Sequence, residues 1–284
     1  MIDTINYICK LYSDYSGIIY SIVAIIGVGI TKIINKVKRY IHAKRLKTIL
    51  ELVNNTTTEY TVSFFDAMVW SSKIDNKTIN LVPHSESDIP IFIVNILNIS
   101  RYNSDIRLCI LKNGQYKINS TSNRFVCGGP FTNPDTYNIF MKYFPYIKFP
   151  CSSKNYNEAK NKNIIQVIDT AYKLKDTTSS LRKIYYTKDK KFIEFDTSFE
   201  TVIFMSRLKE GIDFEKKHGT VHVIFGLSAE STAQAFLNIL NNTIAIYDMT
   251  KKYKNTHYAF FIKMSHNKEI DFKNSIDITD TIIV

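Results

Sequence analysis

The stretch Val221-His222-Val223-Ile224-Phe225-Gly226-Leu227-Ser228-Ala229-Glu230-Ser231-Thr232 decides the fold class. Five residues that favour extended backbone run into a glycine. A serine follows in helix-capping position, and the apolar spacing then turns helical through Leu240. The same device occurs upstream, where Phe125-Val126-Cys127 leads into Gly128-Gly129-Pro130-Phe131-Thr132-Asn133-Pro134-Asp135-Thr136 and a helix that ends near Tyr143. A strand passing through glycine into a capped helix is the repeating unit of an α/β protein, and two of them predict that class.

Working outward, strands are expected at Tyr60–Val69, Ile106–Leu111, Arg124–Cys127, Ile164–Tyr172, Phe192–Phe195, Thr201–Leu208, Thr220–Phe225, Ile244–Tyr247 and Tyr258–Met264. Helices are expected at Ile91–Ile99, Pro134–Tyr143 and Ala229–Leu240. The polar run Asn54-Asn55-Thr56-Thr57-Thr58 reads as a linker, and the Lys/Asn-rich segment Asn155–Asn163 as a seam. The expected organisation is a membrane anchor with a basic juxtamembrane helix over 1–50, a first α/β lobe over 59–160 and a second over 161–284.

With 284 residues, 45% of them hydrophobic, the chain can bury a substantial core, which excludes a disordered tail or linker. Cys9, Cys109, Cys127 and Cys151 form no CxxC pair and no framework spacing, so neither a zinc ribbon nor a disulfide scaffold is predicted. The net charge of +11 first suggests nucleic acid. Its distribution argues otherwise. Lys32, Lys36, Lys38, Arg39, Lys44, Arg45 and Lys47 crowd a stretch without a single acid, so most of the excess is local and no long nucleic acid is expected as partner.

That basic stretch comes directly after Tyr15 to Thr31, which carries no charge, and Ile18–Ile30 is apolar on every helical face. At 1.5 Å per residue such a run spans roughly 25 Å, the short end of what a bilayer core requires. Basic residues after the apolar run, and not before it, disfavour a cleaved signal peptide and place the chain beyond Lys32 on the cytoplasmic side. The expectation is a single-pass protein of the cell's inner membrane with its C-terminal domain in the cytoplasm. A buried core helix is the competing reading. Gly17 and Ser21, with Gly27 and Gly29, offer close-approach positions for lateral association into a homo-oligomer.

The two strand-to-helix junctions are the candidate ligand site. Glycine at the carboxyl end of a strand lets a ligand approach the backbone, and the next helix's N-terminal N–H groups suit phosphate. Gly128, Gly129, Asn133, Thr136, Gly226, Ser228, Ser231 and Thr232 carry this reading. The alternative is local: Gly-Gly-Pro as a tight turn, with Asn133 or Asp135 capping one helix and Ser228 the other.

Residues 219–236, with Ile246-Tyr247-Asp248 and Tyr258-Ala259-Phe260-Phe261-Ile262, resemble the closing strand-helix-strand-strand part of SAVED domains, two-lobed relatives of CARF domains. The resemblance covers only this part of the chain. Gly226-Leu227-Ser228 departs from it, since a small residue followed by Pro is more usual there. It implies a two-lobed CARF- or Rossmann-like sensor of cyclic oligonucleotides in a CBASS-type anti-phage system. It further implies that ligand binding gathers protomers and that the gathered helices compromise the membrane.

Other constellations carry less. His218 and His222, four apart on a strand, stand about 13 Å from each other and cannot share a metal. Cys127 and Cys151 lack a nucleophile setting, and Asp196, Glu200 and Glu210 read as solvated acids. Tyr185, Tyr186, Lys188, Lys190 and Lys191 suit nucleic acid or a lysine-guarded hairpin edge equally. No Walker loop, nucleophile elbow or HExxH pattern occurs, and no cofactor is implied. The expectation is a non-enzymatic, membrane-anchored effector that binds a nucleotide second messenger. The alternative is an anchored enzyme acting on a nucleotide or nucleotide sugar.

Overall fold

A computed structural model describes residues 2–61, 65–66, 80–81, 87–108, 122–130, 133–151, 171–173, 180–209 and 219–283, with the side chains of 2, 3, 11, 12, 14, 16–24, 65, 66, 80, 81, 108, 134, 151 and 171–173 outside the description. The chain divides into two compact units, Met1–Lys44 and Arg45–Val284.

The first unit is helical. It is the greater part of α1 (Ile2–Leu50), whose Ile25, Ile26, Val28, Ile30, Ile33, Ile34 and Val37 are all exposed. Among the described residues, no helix is long and apolar enough to cross a membrane. The expected span 15–31 lies within α1, and the side chains of Gly17 and Ser21 fall outside the description.

The second unit holds the last turns of α1 and then, in order, β1 (Thr58–Thr61), β2 (Phe65–Asp66), β3 (Asn80–Leu81), α2 (Ile89–Ser100), β4 (Ile106–Leu108) and β5 (Asn123–Cys127). Next come α3 (Pro134–Tyr143), β6 (Phe149–Cys151), β7 (Ala171–Lys173), β8 (Leu181–Tyr185), β9 (Phe192–Asp196), β10 (Glu200–Lys209) and β11 (Thr220–Gly226). The chain continues with α4 (Ala229–Asn241), α5 (Thr243–Thr250), β12 (Tyr258–Ser265) and β13 (Ile270–Asp277). Seven strands form one sheet in the order β13-β12-β10-β11-β5-β1-β4. The β4, β1, β5 and β11 strands pair in parallel, whereas β11, β10, β12 and β13 pair antiparallel. The fold is therefore mixed α/β.

Side chains alternate across this sheet and build a core on each face. Phe125, Ile203, Met205, Ile224, Phe260 and Ile262 join Ile93 of α2 and Phe236 of α4 on one face. Val126, Phe204, Val223, Phe225 and Phe261 meet Phe140 of α3, Phe144 just after it, and Ile184 and Ile193 of the β8–β9 hairpin on the other. Near-continuous apolar strands such as β11, buried at every position, require this covering of both faces.

Two sequence expectations are corrected here. The segments expected as separate lobes, 59–160 and 161–284, contribute to one continuous sheet, because β5 pairs with β11 from Val221↔Arg124 to Ile224↔Cys127. Two wholly buried strands protect each other's edges better at the centre of one sheet than at the margins of two. Ile244–Tyr247, expected as a strand, lies inside the helix α5. Its buried positions Thr243, Ile246 and Thr250 keep helical spacing, and the Thr243 hydroxyl continues from α4 by donating to the Ile239 and Leu240 carbonyls. The expected seam 155–163 and most of the expected strand 164–172 lie outside the described residues.

Candidate functional site

At the first junction β5 ends in Cys127 and the chain turns through Gly128, whose φ of 102° is closed to most L-residues. Asn133 is buried and caps α3 with its side-chain oxygen, accepting from the Asp135 N–H at 2.9 Å. Its amide nitrogen donates to the Cys127 carbonyl at 2.8 Å and to Thr61 Oγ1 at 3.1 Å, tying the ends of β1 and β5 to the helix. The Thr136 hydroxyl donates to the Gly128 carbonyl at 2.7 Å. Asp135 sits in the first helical turn, where the helix dipole favours a carboxylate, and Arg124 Nη1 approaches both its oxygens at 3.1 Å.

The second junction is equally closed. Ser228 Oγ accepts from the Ser231 N–H at 3.1 Å and Ser231 Oγ from the Ser228 N–H at 2.9 Å, a reciprocal capping box on α4. The Gly226 N–H donates to Thr232 Oγ1 at 3.0 Å. A Cβ on Gly226 would lie 2.0 Å from Ser231 Oγ, so only glycine fits where strand and helix meet.

The two junctions stand side by side at the carboxyl ends of neighbouring parallel strands, and a Cβ on Gly129 would lie 3.6 Å from the Phe225 ring. From β5 the chain crosses to the face covered by α3; from β11 it crosses to the opposite face, covered by α4. Adjacent parallel strands whose connections leave to opposite faces open a crevice at their carboxyl ends, the place where α/β sheets bind ligands. The eight expected residues are thus brought to one edge, although not as side-chain ligands. Asn133, Thr136, Ser231 and Thr232 hold their polar atoms in bonds within the protein, which is the capping reading of both junctions. What the edge presents outward is Leu227, Ser228, Glu230 and the partly exposed Gly129 and Ala229, with the first N–H groups of α4.

Beside Ser228 and Ser231 the edge widens into a cleft of about 310 Å3, which the start of β10, the end of β12 and the β12–β13 turn complete. Sequence reading did not find its other walls, among them Gln234, His266 and Lys268. Nothing local marks them, because it is the pairing of β10 with β12 and the packing of α4 beside them that bring residues 200, 266 and 230 together.

At the opposite edge the same central strands grip the C-terminus of α1. The Arg207 guanidinium, fully buried, donates to the carbonyls of Thr48 and Ile49, both at 2.9 Å, and to that of Thr256 at 3.0 Å. It also donates to the Tyr253 carbonyl, and lies 3.5 Å from Glu51 and 4.7 Å from the Tyr258 ring centre. Tyr258 donates to the Ile49 carbonyl at 3.2 Å, and the Thr220 hydroxyl to that of Glu51 at 2.8 Å. His222 Nε2 bonds the Leu50 carbonyl at 2.9 Å, which requires the proton on Nε2. Burial first, and then the Arg207 charge, push this imidazole down to about 3, against the pull of its own hydrogen bond. The carbonyls that every helix leaves orphaned at its end are here satisfied by side chains of β10, β11 and β12.

The remaining candidates resolve as structure. Glu200 pairs with Lys263 at 2.7 Å, and Asp196 accepts from the Ser198 N–H at 2.9 Å, while Glu210 and His218 lie outside the described residues. Hydrogen bonds from Ser180 and Ser198 hold the Asp196 carboxyl below its usual range. Cys127 is buried, and Tyr185, Lys190 and Lys191 belong to the β8–β9 hairpin and its turn. Among the described residues, no cluster of His, Cys, Asp or Glu is arranged to hold a metal. Compared with family models, curated proteins and solved structures, the chain matches none.

Proposed function

We propose that this chain is a membrane-anchored effector whose α/β unit binds a nucleotide second messenger, a cyclic oligonucleotide by the resemblance of residues 219–236, and acts on the membrane as a homo-oligomer in anti-phage defence. The observation that carries the reading is the crevice at the carboxyl ends of β5 and β11, where two glycine turns meet and the connections part to opposite faces. Asp135 in the first turn of α3 is buried against Arg124, whereas Glu230, the first-turn acid of α4, is exposed, so phosphate is held by the first N–H groups of α4 and by the loop N–H of Leu227. The central strands β10, β11 and β12 carry the cleft at one end and the α1 socket at the other, which supplies a rigid path from ligand to helix. The anchor rests on the sequence: an uncharged run from Tyr15 to Thr31 and then seven basic residues without an acid.

The test is calorimetric titration of the full chain in detergent micelles with cyclic di- and trinucleotides, with mass spectrometry of the nucleotide afterwards. Binding with the nucleotide recovered intact and a rise in particle mass is expected. Absence of heat with every nucleotide refutes the sensor, conversion of the nucleotide makes the chain an enzyme, and recovery of the expressed chain wholly in the aqueous fraction after cell breakage refutes the anchor.

A further inference from the structure

The uncharged run of α1 is roughly 25 Å long against a bilayer core of about 30 Å, so a helix that crosses there draws residues beyond Thr31 toward the headgroups. Those residues are not alike on all sides. Ile30, Ile33, Ile34, Val37, Tyr40 and Ile41 recur at helical spacing on one face of α1, and all six are exposed. Lys32, Lys36 and Arg39, spaced by four and three, form a second stripe away from that face, and Lys38 borders the apolar stripe along its other margin. These four basic side chains have no ion-pair partner among the described residues, and no acid stands between Lys32 and Lys47.

We propose that the face of α1 from Ile33 to Ile41 docks on an anionic lipid leaflet. The inference rests on the membrane reading above and names the helix face and the lipid class it takes. A continuous apolar stripe left in water marks an interaction surface, and its spacing suits either a second α1 or a lipid surface. Charge decides between them. A second copy entering the membrane in the same direction brings an identical basic stretch alongside, uncompensated by any acid, and the two repel. An anionic leaflet attracts the same charges, by about fivefold in affinity for each Lys or Arg near its surface. Ile33, Ile34, Val37 and Tyr40 then sit at the boundary between headgroups and acyl chains, while the long stems of Lys32, Lys36, Lys38 and Arg39 carry their charges out to the lipid phosphates.

The test uses the full chain, with Tyr40→Trp in one sample and Asn35→Trp, away from the stripe, in another. Each is transferred from detergent into vesicles of phosphatidylcholine alone, or of phosphatidylcholine and phosphatidylglycerol in equal parts. The parent, whose sole tryptophan is Trp70, supplies the background. In the anionic vesicles the Tyr40→Trp emission moves to shorter wavelength and is quenched by lipid brominated near the headgroup, more than in neutral vesicles, while Asn35→Trp emits as in water. Adding Lys36→Gln and Arg39→Gln, or raising the salt to about 1 M, where the screening length is roughly 3 Å, lowers that quenching. Val37→Lys, which sets a charge in the stripe, abolishes it. Flotation of the chain with anionic vesicles alone, reversed by salt, upholds the docking face and refutes the span. Flotation with both kinds of vesicle while Tyr40→Trp emits as in water overturns the docking face and leaves the span standing. Shielding of Tyr40→Trp in neutral vesicles and micelles alike, lost on dilution with empty lipid, gives the face to a second copy and overturns the lipid. A chain that floats with neither overturns both.

Discussion

Replacing Arg207 by methionine tests the socket at the end of α1. The side chain is fully buried and donates to the carbonyls of Thr48, Ile49, Tyr253 and Thr256. Two of these acceptors keep a second donor after the change, since Ile49 retains Tyr258 and Tyr253 retains the Thr256 N–H at 3.1 Å. Thr48, half-buried, and Thr256, exposed, lose Arg207's bonds; water reaches the Thr256 carbonyl, so this loss is no more than about 1–3 kcal/mol. Glu51 keeps Lys209 at 2.7 Å, so its carboxylate does not become an isolated buried charge. Because no buried charge is left uncompensated, the cost stays below the roughly 3–5 kcal/mol of a broken buried ion pair, at about 2–3 kcal/mol. With a urea slope of about 2–3 kcal/mol per molar for a unit of this size, the unfolding midpoint should fall by roughly 1 M, monitored by circular dichroism. Lys209→Met, at a side chain 33% exposed, should move it by less than about 0.3 M. An Arg207→Met midpoint within that smaller shift refutes the reasoning.

Four further outcomes are expected. The His222 imidazole is held near 3 in the fold and titrates near 6.5 in the unfolded chain, so the unfolded state takes up the proton first as pH falls. Its contribution is present above about pH 6.5 and is lost toward pH 3, amounting to roughly 2 kcal/mol between pH 6.5 and 5. Denaturation at both pH values should show that loss in the parent and not in His222→Gln. Arg124→Met should destabilise by about 3–5 kcal/mol, and adding Asp135→Asn should restore part of it, as measured by a double-mutant cycle. Gly226→Ala should lower stability by about 1–3 kcal/mol, since its Cβ would sit 2.0 Å from Ser231 Oγ and 2.7 Å from the Ser231 backbone, and thermal melting reads this. Asn133→Ala removes the α3 cap and two buried amide bonds and should cost about 2–3 kcal/mol by the same measurement.

Where backbone signals are local, the sequence is legible. Pro134–Tyr143 can be read to the residue because Asn133 and Pro134 fix its start by capping and by φ. Ser228 marks α4 for the same reason. Ile244–Tyr247 misleads because three β-favoured residues of its four, Ile244, Ile246 and Tyr247, hide a helical spacing that only Thr243 and Thr250, on either side, reveal. β13, Ile270–Asp277, is legible only in part: Ile270, Phe272 and Ile276 alternate with polar residues, but Asn274 breaks the pattern in this edge strand. Of the candidate site, the glycines and caps are visible, but their commitment to internal bonds is not. Asn133 reaches Thr61 and Arg207 reaches Thr48 across 72 and 159 residues, distances over which a single sequence gives no pairing signal.

The way α1 is held has a consequence for how the chain is made. Its terminal carbonyls wait for donors 158 to 209 residues further on: Arg207, then Thr220 and His222, and last Tyr258. During synthesis the helix emerges first, yet its final turn acquires its partners only after β12 has left the ribosome, so closure belongs to the late stage of folding. A nascent chain halted before Tyr258 carries a long apolar helix whose lower end is unlatched, and quality-control proteases will find it there.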